Sequence, residues 1–296
     1  MGFMWISVVI ASTNRRDVLH ETVLSLARQS RQADEILLSL VDPAQDVRAE
    51  TLKVQGVRLV LGPQGLTFQR NTGVAHVHPD CELICFLDDD VELGPNYLRN
   101  GCEFMARHPE VVGISGGGMI ANGASTGQLS RSDAIRLVER TPEDSSGRFR
   151  LRSGLYGCDM IVRRSVAENT PFDTRLWYYA LYEDKDFGAR CARFGLLAGV
   201  AGCQIVHLAS QVCRPSAKRY GYSHVMNAFY LWRKGSLSAL GFLNTTTRGL
   251  IADVFGFVFP RHGKSRAERG GRLWGSVLGF RDIVIHGAQP ERIEHI

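Results

Sequence analysis

The 296-residue sequence has no C-x-x-C pair, no internal repeat and no low-complexity block. Its cysteines are odd in number, seven in all: Cys81, Cys85, Cys102, Cys158, Cys191, Cys203 and Cys213. Most sit inside apolar runs, so buried reduced thiols are expected rather than a disulfide framework. No uncharged apolar run reaches the ~18 residues needed to cross a bilayer. The apolar stretch 3–10 has no basic segment before it and no small-residue cleavage pattern after it. It reads as a buried first strand, not an export signal, and the expected compartment is the cytoplasm. The basic residues are dispersed and form no nucleic-acid recognition motif, which argues against a nucleic-acid partner.

What the sequence does contain is an ordinary globular composition, 44% hydrophobic and 22% charged. That length suits one large α/β domain with an appendage, or two small domains. The net charge of +5 is unevenly placed. Residues 215–296 carry twelve Lys or Arg against five Asp or Glu, a local +7 that leaves about −2 for the first 214. The basic character belongs to the C-terminal stretch and hints at an anionic surface as its partner.

The N-terminal half alternates strand and helix patterns. Strands are expected at 5–11, 35–41, 57–61 and 82–87, and helices at 17–29, 44–54 and 67–77. Residues 176–193 read as a helix, 196–208 as a further strand, and 122–133 and 140–152 as polar loops. Such alternation implies a doubly wound, mostly parallel sheet. Ligands in that architecture bind beyond the carboxyl ends of the strands. The residues in those places are Ser12 to Arg15, Asp42, Gly62 to Gly65, and Asp88-Asp89-Asp90.

The triplet Asp88-Asp89-Asp90 is either a solvated acidic turn or a hard-oxygen site for Mg²⁺ or Mn²⁺ that also holds a diphosphate. In Tyr182-Glu183-Asp184-Lys185-Asp186, a carboxylate is either a surface helix charge or a general base toward an acceptor hydroxyl. His207, closing an apolar stretch, is either a satisfied core histidine or a ligand completing a carboxylate metal shell.

The order of these elements resembles inverting family 2 glycosyltransferases of the GT-A fold, the group that includes rhamnosyltransferases and polysaccharide synthases. Ile6 to Arg15 resembles the family's nucleotide-binding first strand, with Ala11 and Ser12 where proline and threonine are usual. Gln69-Arg70-Asn71-Thr72-Gly73 resembles its A-R-N-x-G helix, and Leu87-Asp88-Asp89-Asp90 its D-x-D. Gly157 to Arg164, Phe172-Asp173 and Glu183 to Asp186 follow in the family's order. Asp159 stands where asparagine is frequent. The resemblance spans residues 6–207.

By that resemblance, Asp88 and Asp90 hold a divalent cation, Mn²⁺ or Mg²⁺, with His207 as a third ligand. Thr13, Arg15, Asp42, Arg70, Asp88 and Asp89 line the site of a nucleotide-diphosphate sugar. Asp184 is the catalytic base, with Glu183 its rival. The implied reaction transfers a sugar to an acceptor hydroxyl with inversion, in cell-surface polysaccharide or glycolipid synthesis. The implied division is a catalytic domain over 1–214, its nucleotide half 1–100 and acceptor half 101–214, and a basic amphipathic helical tail over 215–296. The tail either lies on the cytoplasmic face of a membrane, near a sugar or lipid-linked acceptor, or packs as an appendage or dimer contact. Trp177-Tyr178-Tyr179 either stacks on a sugar or fills a core.

Three other readings compete. Gly116-Gly117-Gly118-Met119-Ile120-Ala121 matches the dinucleotide fingerprint G-x-G-x-x-A, but Asn122-Gly123-Ala124-Ser125 is a poor helix start, so a flexible turn is expected. A sugar nucleotidyltransferase would carry a glycine-rich loop after the first strand, where Ser12-Thr13-Asn14-Arg15 stands. A catalytically inactive scaffold of the same fold is opposed by the joint presence of Asp88, Asp90, Asp184 and His207.

Overall fold

Period-two alternation in the first strands determines the architecture. In β1 (Ile6–Ala11), Ile6, Val8 and Ile10 join one apolar cluster while Val9 joins another. The pattern recurs in β2 (Glu35–Leu40) and β4 (Leu83–Leu87), where Leu37, Ile84 and Phe86 face the second cluster. Successive side chains point to opposite faces, so a strand buried at every position needs cover on both. The helices α1 (Arg16–Ala27), α2 (Pro43–Asp46) and α3 (Leu66–His76) are interleaved with β1, β2, β3 (Val57–Leu61) and β4. A computed structural model describes residues 4–123, 128–144, 146–210, 215–259 and 265–296. Cys213, the 214/215 boundary, residues 124–127 and 145 of the expected loops, and Pro260 lie outside the described residues.

The remaining elements of the first part are β5 (Val91–Leu93), α4 (Tyr97–Arg107), β6 (Val111–Ile114), β7 (Gly118–Asn122), α5 (Arg131–Arg140), β8 (Phe149–Arg152), β9 (Asp159–Arg163) and α6 (Arg164–Asn169). After them come α7 (Glu183–Cys191), β10 (Leu196–Val200) and β11 (Gln204–His207). The main sheet has eight strands in the order β3-β2-β1-β4-β9-β6-β10-β8. β9 runs antiparallel to β4 and β6, and β8 antiparallel to β10; the other pairs are parallel. The expected α/β, mostly parallel sheet is present. A second sheet, β5-β11-β7, sits beyond the end of β4.

Four expectations are corrected. The helix expected over 44–54 is one turn, α2, because the Asp46 carboxylate accepts the backbone N–H groups of Asn14, Val41 and Asp42 and folds the chain back. Of the helix expected over 176–193 only α7 forms. The carbonyls of Leu176 and Tyr178 serve Thr67 Oγ1 and the Leu66 N–H instead of a helical ladder, and Tyr178, Ala180 and Tyr182 take positive φ. The strand expected over 196–208 breaks at a Val200–Cys203 turn into β10 and β11, which belong to different sheets. The expected loops overlap α5, capped by Ser130, and include β8, an exposed edge strand that alternates Phe149 and Leu151 with Arg150 and Arg152.

The chain divides into two compact units. One comprises Met1–Gln64, Phe68–Phe172 and Phe187–Cys213; the other comprises Gly65–Thr67, Asp173–Asp186 and Arg214–Ile296. The second unit is built on three long helices, α8 (Ala217–Lys234), α9 (Ala239–Val258) and α10 (Arg266–His286). α8 and α10 touch backbone to backbone: a Cβ at Gly221 would lie 1.9 Å from the Arg272 carbonyl, and one at Gly275 1.9 Å from that of Lys218. No helix of the described residues is long and apolar enough to cross a membrane.

Candidate metal and nucleotide site

β4 is buried throughout and delivers Asp88-Asp89-Asp90 directly beyond its carboxyl end. The triplet is fixed from several sides. Thr22 Oγ1 of α1 donates to the Asp89 carbonyl at 2.7 Å, and the Asp88 N–H donates to the Cys158 carbonyl at 3.2 Å. β5 begins at Val91 and pairs antiparallel with β11, in a register that sets Val91 opposite His207.

The three carboxylates have different surroundings. Asp88 keeps 30% of its side chain open and receives Arg70 at 3.0 Å. Burial pushes its carboxyl up, against the pull of Arg70 and His207. Asp89 is buried, receives Ser12 Oγ at 2.6 Å and is ion-paired to Arg15. Burial outweighs those partners and lifts it to about 7. Asp90 is equally buried, yet falls well below the usual carboxylate range. Desolvation opposes ionisation there, but His207 at 3.2 Å, Arg15 at 2.9 Å and the Ser210 N–H at 2.8 Å outweigh it.

His207 reaches Asp90 and Asp88 through Nε2, at 3.2 and 3.8 Å, while its Nδ1 lies 3.1 Å from Asn122 Oδ1. With Nδ1 donating to that amide oxygen, loss of the Nε2 proton shared with Asp90 would turn the Nε2 lone pair toward the carboxylates, the tautomer a metal ligand needs. One ligand atom each from Asp88, Asp90 and His207 lie within 4.8 Å of one another. Two carboxylate oxygens and an imidazole suit a divalent first-row cation, and the partly open Asp88 leaves a side for further ligands.

The other expected site residues are placed as follows. Thr13 follows β1 and donates to Gln69 Oε1 at 3.4 Å. Asp42 caps α2, accepting the Ala44 N–H at 3.0 Å and Gln45 Nε2 at 2.8 Å. Arg70 is buried, donating to the Gly157 carbonyl at 2.6 Å as well as to Asp88, with its guanidinium 5.4 Å from the Phe172 ring. Thus Arg15 and Arg70 are both drawn onto the triplet. In the second unit, Glu183 is buried, and the Asp184 carboxylate accepts the Lys185 N–H at 2.8 Å. Tyr178 lies under the Arg219 guanidinium, 5.0 Å from its centroid, while Trp177 packs into an apolar cluster with Tyr222 and Met226.

Several supporting groups were not signalled by the sequence. Thr22, Asn122 and the Ser210 N–H reach the site through pairings 67 to 120 positions apart, which no local pattern displays. Asp159 is buried on β9 opposite Leu87, accepts the Gly116 N–H at 3.0 Å and is pushed up to about 7 by burial. The glycine run it steadies leads into β7, not into a helix, which removes the dinucleotide-binding reading.

Among known proteins, no curated relative matches the chain. A family model does: residues 7–170, from β1 to the end of α6, match "Glycosyl transferase family 2". That match covers more than half of the sequence and includes the acidic triplet with both of its arginines. The chain belongs to glycosyl transferase family 2.

Proposed function

We propose that the protein is a metal-dependent, inverting glycosyltransferase that moves a sugar from a nucleoside-diphosphate donor to an acceptor hydroxyl in polysaccharide or glycolipid synthesis. The observation that carries the metal dependence is the convergence of Asp88, Asp90 and His207 within 4.8 Å at the end of β4. These three residues hold the cation, and Mn²⁺ suits the imidazole better than Mg²⁺. A bound cation would supply Lewis-acid neutralisation of the leaving diphosphate. Arg15 and Arg70 hold the carboxylates in place, and with Thr13, Asp42 and Asp89 they form the nucleotide side. Asp184, with Glu183 as the alternative, takes the proton of the acceptor hydroxyl, and attack from the far face inverts the anomeric centre.

The test is a thermal-shift screen of UDP, GDP, dTDP and CDP, each with Mn²⁺, Mg²⁺ or EDTA. A ligand that binds only the folded chain raises its melting temperature by mass action. One nucleotide is expected to stabilise the protein only with metal, and Asp90→Ala is expected to abolish that shift. A screen in which no nucleotide registers with either metal favours the inactive scaffold.

A further inference from the structure

In water a surface helix buries its apolar stripe and exposes its polar one. α9 does the reverse. Its buried positions include Thr246 and Asp253, while Leu240, Leu243, Ile251, Val254, Phe255 and Val258 are exposed. Apart from adjacent Val254 and Phe255, successive members are three or eight residues apart, and at about 100° per residue all six fall on one face of the helix. α10 repeats the inversion. Gly275, Ser276, Gly279 and Asp282 are buried with Leu278, whereas Trp274, Val277, Val284 and Ile285 point outward, Val284 being 86% exposed. The polar groups turned inward are satisfied there: Asp253 is ion-paired to Arg269, and Asp282 to Arg281 and Arg292. Two consecutive helices therefore present apolar faces outward and turn the acids Asp253 and Asp282 inward.

The charge of the unit says what covers that face. Each acid of α9 and α10 is matched by an arginine, since Glu268 also pairs with Arg272. Exposed Arg248 and Arg266 add positive charge to the surface of these helices, and exposed Arg233 adds more near the end of α8. An apolar face with a basic surround suits acyl chains below anionic headgroups. A symmetric contact with a second copy would instead set a positively charged surface against itself.

We propose that the outer faces of α9 and α10 dock into one leaflet of an anionic phospholipid membrane, lying in the interface without crossing it. The inference does not depend on the transferase reading, and its test needs no substrate. Full-length protein is floated with vesicles of phosphatidylglycerol and phosphatidylcholine, and with phosphatidylcholine alone. Wild type is expected to float with the mixed vesicles and at least about tenfold less with the neutral ones. The double variant Phe255→Glu/Val284→Glu, which changes two exposed side chains, is expected to lose flotation by about tenfold or more at an unchanged melting temperature. Should that variant lose its helical signal, Arg248→Glu/Arg266→Glu probes the same surface through charge and is expected to lose binding comparably. Equal flotation of wild type and variants, or no flotation with either vesicle, overturns the proposal. So does a wild-type dimer in solution that Phe255→Glu/Val284→Glu converts to monomer, which would assign the face to a second copy.

Discussion

In the second unit, Asp173, Asp186, Asp253 and Asp282 meet Lys234, Arg269, Arg281 and Arg292, four acids to four cations. At the end of β4, three aspartates meet two arginines among the described residues, Arg15 and Arg70. Both regions put carboxylates where water is scarce, a placement that is costly unless each charge is compensated. The second unit balances as a group, with Lys234 shared by Asp173 and Asp186 and two arginines on Asp282, and its ion pairs act as struts. The unbalanced triplet, with an imidazole turned toward it, retains an attraction for one more positive charge. Buried charge is thus a poor marker of function by itself; the surplus distinguishes a site from a brace.

Breaking a strut should have the largest effect. Lys234 bridges Asp186, at 2.9 Å, and Asp173. Lys234→Met takes the cation away from both acids and leaves Tyr230 Oη on Asp173 and Ser236 Oγ on Asp186, at an expected cost of about 3–5 kcal/mol. Thermal melts should fall by on the order of 10 °C. A melt within a degree or two of wild type would mean that these pairs are not braces.

Acidity sharpens the contrast next. Burial lifts the Asp159 carboxyl to about 7 against the pull of the Gly116 N–H. The folded chain therefore holds a proton that the unfolded chain has released by about pH 4. Stability from that proton is whole below the ordinary Asp range and is lost as the pH rises through about 7. Asp282 behaves in the opposite sense: burial opposes its ionisation, but Arg281, Arg292 and Tyr222 hold its carboxyl low. Its contribution is present above the ordinary range and lost on acidification. Asp159→Asn should consequently flatten the decline in melting temperature between pH 5 and 8 and add about 1–3 kcal/mol at pH 8. An undiminished decline in the variant would rule out Asp159 as its source.

The smallest effect expected is at Asn122, whose side-chain oxygen meets His207 Nδ1. Asn122→Ala should weaken Mn²⁺ binding about tenfold, read by calorimetric titration, with little change in the metal-free melt. Unchanged affinity would show that the imidazole needs no help to hold its tautomer.

How much of this was legible in the sequence follows from the range of each interaction. β1, β2, β3 and β4 were readable because alternation and β-branching are local, and so was Asp88-Asp89-Asp90, which immediately follows the buried run ending at Leu87. The 176–182 segment was misread as helix because its carbonyls go to Leu66 and Thr67, more than a hundred positions earlier. The 196–208 run was read as one strand because composition does not reveal that β10 and β11 join different sheets. His207 stood out at the end of an apolar stretch, but its orienting partner Asn122 did not, since that pairing depends on β7 lying beside β11. The apolar and basic texture after residue 215 was visible, yet the inward turn of Asp253 and Asp282 needed three dimensions.

The register that places Val91 against His207 also sets a timetable. Asp90 and Ser210 are separated by 120 positions, whereas Arg15 is 75 from Asp90 and 74 from Asp89. A growing chain has its acid triplet and both arginines in hand long before β11 exists. Closing a loop of that length costs little more entropy than closing a shorter one, but it waits on synthesis and on the later strand. During that interval the triplet has Arg15, Arg70, Ser12 and Thr22 as partners within the finished stretch, and His207 arrives last. The arginines therefore hold three neighbouring carboxyl groups together ahead of the histidine.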